Sequence, residues 1–241
     1  MKLNKDIDRK FRLARIWSNG ELRKFAHLFN GDIANVSGWK DTDKEGSYYR
    51  DYFSNAKSYT ITNYKSEARG FQGMEGEIFL DLTEVLPDDL KGKFNVVFNH
   101  TVLEHIYEVH LAFRNLCSMS KDIVIIVVPF LQQMHADYGD YWRFTPLTIR
   151  RMFSENDFEI LYLSFNSEPN ASVYIFCIAT RNPHLWKSIE RKFDYVDPIN
   201  ANDGFENYIG CHAIENVISS KRFNWGLTYT KWKRLISLIS K

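Results

Sequence analysis

Short apolar runs that end in polar residues recur along the chain and predict the strands of an α/β protein. The run 122–129 is apolar throughout, which is typical of a strand with helices on both faces. The last two runs are joined by too few residues for a crossover helix, so we expect an antiparallel pair. The predicted strands are 32–39, 58–64, 77–82, 94–99, 122–129, 158–165 and 172–180.

Helical spacing of apolar residues precedes the first predicted strand and recurs between later ones. Two N-terminal helices are expected, over 3–17 and up to about Phe29, with a capping box at Ser18–Glu21 between them. A short aromatic helix is expected over 48–53, and an amphipathic helix over 102–118.

A further helix is predicted to begin at Pro146, capped by Thr145, and to bury Leu147, Met152 and Phe153. The alternation of strands and helices predicts a Rossmann-like sheet that is mostly parallel, has seven strands and closes with an antiparallel hairpin. The expected organisation is a helical lead-in over 1–30, an α/β domain over 31–181 and an extension over 182–241.

Composition excludes several classes of protein. The 241 residues are 44% hydrophobic and 25% charged, which is ordinary for a globular protein. A net charge of +1 gives the chain no electrostatic attraction to nucleic acid. The three cysteines lack paired spacing, and the N-terminus has no secretory signal, so a cytoplasmic location is expected.

Two polar motifs follow the fourth and fifth predicted strands. They are NHTVLEH (99–105) and HADYGDYWRFTP (135–146). In an open parallel sheet, ligands bind at this edge. Together the motifs resemble a subgroup of class I S-adenosylmethionine-dependent methyltransferases, the type 11-like enzymes, over roughly residues 31–181. The resemblance implies S-adenosylmethionine as cofactor and methylation of a small-molecule, sugar or glycan acceptor, in polysaccharide biosynthesis.

The resemblance also implies which residues bind the cofactor. Only Gly38 remains of the glycines that the family carries after its first strand, and Asn63 stands where the family has a ribose-binding acid. Asp41 or Asp43 is a candidate replacement for that acid. A non-catalytic scaffold with a degenerate cofactor loop is therefore the alternative to an enzyme. The implied cofactor residues are Ser37, Gly38, Asn63, Asp81, Leu82, Asn99 and His100.

The acceptor side is assigned to the second motif. His135 is the first candidate for the general base, because imidazole titrates near neutral pH, and His100 and His105 are the alternatives. His105, Tyr141, Trp142 and Arg143 are candidate acceptor-binding residues. Two structural alternatives stay open: the aromatic residues plug a packing gap, or Arg143 pairs with Asp137 or Asp140 and pins the loop.

No metal site is expected. On a continuous helix the five-residue spacing of His100, His105 and His110 makes their side chains diverge. Asp41-Thr42-Asp43 resembles the D-x-D element of glycosyltransferases, a minor alternative.

The segment 228–241 is basic and amphipathic. It is expected to pack on the protein or on a second copy in a homo-oligomer, with weak contact to a membrane surface as the alternative.

Overall fold

The structure is a computed structural model that describes residues 2–65, 70–135, 139–168, 171–187 and 209, with the side chains of 2–12 excepted. The expectation for 228–241, and nearly all of the extension over 182–241, lie outside the described residues. Among the helices that are described, none combines the length and apolar character needed to cross a membrane.

The described residues form the seven-stranded sheet that the sequence predicts, in the order β3-β2-β1-β4-β5-β7-β6. The first five strands are parallel, and β7 lies antiparallel to both β5 and β6. The mostly parallel sheet and its closing hairpin are confirmed. The strands are β1 Gly31–Val36, β2 Ala56–Asn63, β3 Glu77–Phe79, β4 Phe94–His100, β5 Ser120–Leu131, β6 Glu159–Phe165 and β7 Val173–Thr180.

The N-terminal region is one helix, α1 (Lys2–Phe25), followed by a 3₁₀ turn, Ala26–Leu28. The prediction of two helices separated by a capping box is therefore wrong. Ser18 does not cap a helix: its hydroxyl donates to the Arg15 carbonyl at 2.8 Å, inside the continuous helix. The aromatic helix predicted over 48–53 is a 3₁₀ turn, Tyr49–Tyr52.

The helix predicted over 102–118 is confirmed in its second part, α2 (Val109–Met119), but its predicted start is wrong. The chain there forms a 3₁₀ turn, Leu103–His105, before α2 begins. A residue distant in sequence explains the break. The Trp142 indole N–H donates to the Ile106 carbonyl at 2.9 Å and also reaches the Tyr107 carbonyl. These carbonyls then do not need helical partners, so the chain can turn before α2 begins.

The predicted helix after Thr145 is confirmed as α3 (Pro146–Ser154), and the Thr145 hydroxyl accepts from the Thr148 N–H at 3.1 Å. Met152 and Phe153 are buried as expected, but Leu147 is 61% exposed, so its predicted burial is wrong. A last short helix, α4 (Pro183–Trp186), follows β7.

Two apolar clusters cover the two faces of the sheet. One contains the inner faces of α2 and α3, and the other contains the apolar residues of α1 from Ala14 to Phe25. The sheet is thus buried on both sides, which is why β5 and β7 are apolar along almost their whole length.

A matched pair of substitutions tests this burial. Leu116→Ala, at a site that is 0% exposed, should lower the free energy of unfolding by about 2–5 kcal/mol through lost burial and a cavity. Leu147→Ala should change it by less than about 0.5 kcal/mol, because that side chain is already in water. Urea unfolding of both variants measures the difference, and equal effects would contradict the packing of α2 and α3.

Candidate functional site

The candidate site lies at the carboxyl edge of the parallel strands, where the ends of β1, β4 and β5 are neighbours. Val36 pairs with Asn99, and His100 pairs with Val127. The loops after these strands therefore meet, although they are about 60 residues apart in sequence for β1 and β4.

The loop after β1 has a backbone that normally requires glycine. Ser37, Trp39 and Asp41 have φ values of 58°, 48° and 62°, so every second residue lies in the left-handed region. This is the spacing of the glycines in a G-x-G-x-G turn. Gly38, between them, packs against a side chain: a Cβ there would lie 2.4 Å from Asn35 Nδ2. None of the three left-handed positions is a glycine, and Gly38 itself is not in the left-handed region.

Asn63, at the end of β2, holds this loop in place. Its side-chain oxygen accepts from the Trp39 N–H at 2.7 Å, and its amide nitrogen donates to the Trp39 carbonyl at 3.1 Å. The same nitrogen donates to Glu77 at the start of β3. Both amide hydrogens of Asn63 are thus used within the protein. The side chain expected to meet the ribose acts as a clamp on the loop.

Asp41 and Asp43 are fully buried and stabilise the loop. Asp41 accepts from Asn35 and Tyr59, each at 2.8 Å, and pairs with the Arg50 guanidinium at 3.0 Å. Asp43 accepts from the N–H groups of residues 45 and 47, from the Tyr52 hydroxyl and from Arg23. Neither carboxylate faces open solvent, where a replacement for the missing ribose acid would have to lie.

The connection after β3 contains Asp81 and Leu82. Asp81 Oδ1 accepts from both the N–H and the hydroxyl of Thr83, and the described hydrogen bonds leave Oδ2 unused. The Leu82 side chain is buried in the core, while its carbonyl accepts from Asn115 at 3.0 Å. Asp81 therefore offers a carboxylate oxygen to a ligand, whereas the Leu82 side chain is a core residue.

Asn99 and His100 point to opposite sides of β4. Asn99 is buried, its amide nitrogen donates to the Val36 carbonyl at 3.0 Å, and its Oδ1 has no hydrogen-bond partner among the described residues. His100 Nε2 instead lies 2.9 Å from the Ser18 hydroxyl of α1. Burial lowers the pKa of His100 well below its usual range, so its ring is neutral.

Helix α1 contributes to this edge, which sequence reasoning missed. The Arg15 guanidinium donates to the Thr101 hydroxyl at 3.0 Å, next to the Ser18–His100 contact. The only sequence signal is the presence of polar residues on the otherwise apolar face of α1, which solvent exposure explains equally well.

Three further residues come together after β4 and β5: Glu104, His105 and His135. One nitrogen or oxygen of each lies within 4.8 Å of the others, and the two imidazole rings are 5.0 Å apart. His105 Nδ1 lies 2.6 Å from the Gly139 carbonyl. That carbonyl can only accept, so Nδ1 carries the proton and Nε2 is the lone-pair nitrogen.

Burial controls the protonation of this cluster. Glu104 is 1% exposed, and burial raises its pKa to about 7 against the opposing effect of Arg15 and Arg143. Burial also lowers the pKa of His105 and of His135. The imidazoles are thus favoured as neutral groups, which can accept a proton or bind a cation.

The guanidinium group of Arg143 holds the second motif in place through hydrogen bonds. Its guanidinium binds both oxygens of Asp140, at 2.6 and 2.8 Å, and donates to backbone carbonyls of residues 132, 133 and 142. Asp140 in turn accepts from the His135 N–H at 2.8 Å. The structure thus adopts the loop-pinning alternative, and no donor of Arg143 remains for an acceptor.

The aromatic residues of the motif include two that pack in the core and one that is exposed. Trp142 packs against the core and Phe144 is buried within it, so these two fill a packing gap. Tyr141 is 54% exposed, and its ring lies 5.4 Å from that of Tyr107, which is 66% exposed. Tyr141 of the motif and Tyr107 outside it thus offer a flat apolar surface to a ligand.

The sheet order, the parallel strands and the closing hairpin define the class I methyltransferase fold. No family model matches the chain. No curated protein matches it either.

Solved structures share the fold at low sequence identity. A Bacillus halodurans C-125 protein described as a methyltransferase has a TM-score of 0.50 and 11% identity, over 67% of this chain and 97% of its own. A Burkholderia thailandensis 1,6-didemethyltoxoflavin-N1-methyltransferase, with its substrate and S-adenosylhomocysteine bound, has a TM-score of 0.50 and 15% identity, over 69% and 77%. The trans-methyltransferase CalH, in complex with S-adenosylhomocysteine, has a TM-score of 0.50 and 14% identity, over 69% and 57%.

The clamp formed by Asn63 can be tested by substitution. Asn63→Asp would face Glu77 with a second carboxylate and leave the Trp39 carbonyl without its donor. We expect it to lower the free energy of unfolding by about 1–3 kcal/mol, measured by urea unfolding at pH 7. Adding Glu77→Gln should recover part of the loss, because an amide can donate to the new carboxylate. No loss in the single variant would contradict the clamp.

The loop should also show a defined pH dependence. Burial opposes ionisation of Asp43, but hydrogen bonds from Tyr52 and the backbone outweigh it and lower its pKa. A carboxyl group whose pKa is lowered by folding stabilises the folded state at pH values above its unfolded pKa of about 3.9. This stabilisation is lost as the pH falls from there through the lower pKa of the folded state. Asp43→Asn should therefore destabilise the protein by about 1–3 kcal/mol at pH 7 and clearly less at pH 3, by urea unfolding. The control Asp88→Asn, at an exposed residue, should not lower the free energy of unfolding in this way. An effect of Asp43→Asn that is the same at pH 7 and pH 3 would contradict the lowered pKa of Asp43.

Proposed function

We propose that this protein is an S-adenosylmethionine-dependent methyltransferase that O-methylates a sugar or a glycan-related acceptor. The observation that carries the proposal is the loop after β1, at the carboxyl edge of the sheet, in which Ser37, Trp39 and Asp41 adopt the left-handed backbone that favours glycine. The class I methyltransferase fold and the S-adenosylhomocysteine bound in two of the compared structures support it.

The described residues fit the cofactor on two sides. The buried Asn99 Oδ1, which lacks a partner, is an acceptor suited to the ammonium group of the methionine moiety. Asp81, through Oδ2, would accept from the adenine amino group. When bound, the cofactor supplies an electrophilic methyl group on a sulfonium. The protein's residues would orient it and exclude water.

On the acceptor side, a hydroxyl substrate would lie against Tyr107 and Tyr141, whose exposed rings suit the apolar face of a sugar. His135, with a pKa lowered by burial, is the candidate to take the hydroxyl proton. The sugar or glycan acceptor rests on the resemblance of the two sequence motifs and on these exposed rings.

A non-catalytic scaffold is the second candidate, and a specific observation favours it. Asn63 uses its amide within the protein, and Asp41 and Asp43 are buried in the loop. The described ribose side therefore offers none of these three groups as a charged acceptor for the ribose hydroxyls.

Calorimetric titration with S-adenosylhomocysteine separates the two candidates. We expect one binding site per chain, and we expect Asp81→Asn to weaken binding roughly 10- to 100-fold, the effect of losing a hydrogen bond to a charged group. The exposed control Asp89→Asn, in the same stretch of chain, should bind as the wild type does. Absence of heat at millimolar ligand would reject the enzyme and leave the scaffold.

A further inference from the structure

The buried carboxyl group of Glu104 lacks a hydrogen-bond partner in the described part of the chain, although the positive charges of Arg15 and Arg143 act on it. Both of its oxygens are inaccessible to solvent, and neither has a hydrogen-bond partner among the described residues. Burying an ionised carboxylate without hydrogen bonds costs several kcal/mol, so native proteins rarely leave one in this state. This carboxyl group lies beside two imidazoles, and either protonation or a bound cation would remove the cost of burying it.

We propose that Glu104, His105 and His135 bind a divalent transition-metal ion, with Zn²⁺ as the ion that the donors suit best. Two neutral imidazole nitrogens and one carboxylate oxygen are the donor set of many zinc sites that keep one position open. The site depends on the break in the predicted helix over 102–118, since it is the turn Leu103–His105 that brings Glu104 and His105 towards His135.

The spacing of the donors suits an ion after a small closure. His105 Nε2 lies 3.8 Å from Glu104 Oε1, and the donors of all three residues lie within 4.8 Å. Donors bound at about 2.0–2.2 Å from Zn²⁺ are roughly 3–3.5 Å apart, so movements of about 1 Å would complete the site.

Each imidazole has a polar group behind it, and that of His105 is within hydrogen-bond distance. The Gly139 carbonyl holds His105 Nδ1 at 2.6 Å, which directs the lone pair of Nε2 towards Glu104. Asp140 Oδ2 lies 3.4 Å from His135 Nδ1 and is itself held by Arg143. A carbonyl or carboxylate behind each imidazole is the usual outer shell of a bound metal.

The site has one open side. The His105 and His135 side chains are 11% and 28% exposed, whereas Glu104 closes the inner side. A fourth position on the ion would therefore face the acceptor side, near Tyr141, whose N–H donates to the Glu104 carbonyl. There the ion would lower the pKa of a bound hydroxyl or water, and His135 would act as its ligand instead of as a base. This role rests on the proposed function, whereas metal binding does not.

The test uses the full chain without a histidine tag, freed of metal and titrated with Zn²⁺ in a calorimeter. We expect one ion per chain. Glu104→Gln, His105→Asn and His135→Asn should each weaken binding by more than the roughly 10- to 100-fold that loss of an outer-shell partner causes. His110→Asn removes an exposed histidine of α2 and should bind as the wild type does. The free cysteines Cys117 and Cys177 are buried and do not compete.

Two further measurements report on metal binding without measuring enzyme activity, and they distinguish loss of binding from misfolding. Zn²⁺ should raise the unfolding temperature of the wild type and of His110→Asn, and leave that of the three ligand variants unchanged. Co²⁺ should give a visible absorption band that disappears in His135→Asn, a substitution in a loop. Mg²⁺ prefers an all-oxygen shell and should not compete. Absence of stoichiometric Zn²⁺ binding, or wild-type binding by all three ligand variants, would overturn the metal site. Binding of S-adenosylhomocysteine, measured separately, reports on the proposed function.

Discussion

A carboxylate removed from water must be paired or hydrogen-bonded, and this requirement organises the carboxyl edge of the sheet. Asp41 meets it through Asn35, Tyr59 and Arg50, and thereby closes the loop after β1. Asp140 meets it through Arg143, and thereby fixes the loop after β5. Glu104 differs, because neither of its buried oxygens has a hydrogen-bond partner among the described residues.

The need to pair buried carboxylates also explains how non-glycine residues remain in the left-handed region in the loop after β1. A side chain in the left-handed region destabilises the backbone by about 1–3 kcal/mol, which persists only where surrounding contacts compensate. Here Asn63 holds both polar groups of the Trp39 backbone, and Asn35, Tyr59 and Arg50 hold the side chain of Asp41, the next strained residue. The polar groups that hold the loop are thus used within the protein and are not available to the ribose of the proposed cofactor.

The strands could be predicted from sequence because they are local apolar runs, and the antiparallel pairing of the last two follows from their short connection. The helix boundaries could not, since distant residues decide them. The indole of Trp142 breaks the helical pattern at Ile106, and Ser18, which resembles a cap, lies within α1. Arg143 illustrates the same limit at the site: its sequence allows acceptor binding or loop pinning, and only the position of Asp140 decides between them.

The docking of α1 bears on the order in which the chain acquires its structure. The Glu21 side chain accepts from the Tyr162 hydroxyl at 2.6 Å, across 141 residues, and the apolar face of α1 packs on β4, β5 and β7. Within this sequence α1 precedes every strand that buries it, and β7 is the most distant of them. Contacts of such long range are typical of slow folding. The burial of α1 therefore requires a strand as distant in sequence as β7 to be in place.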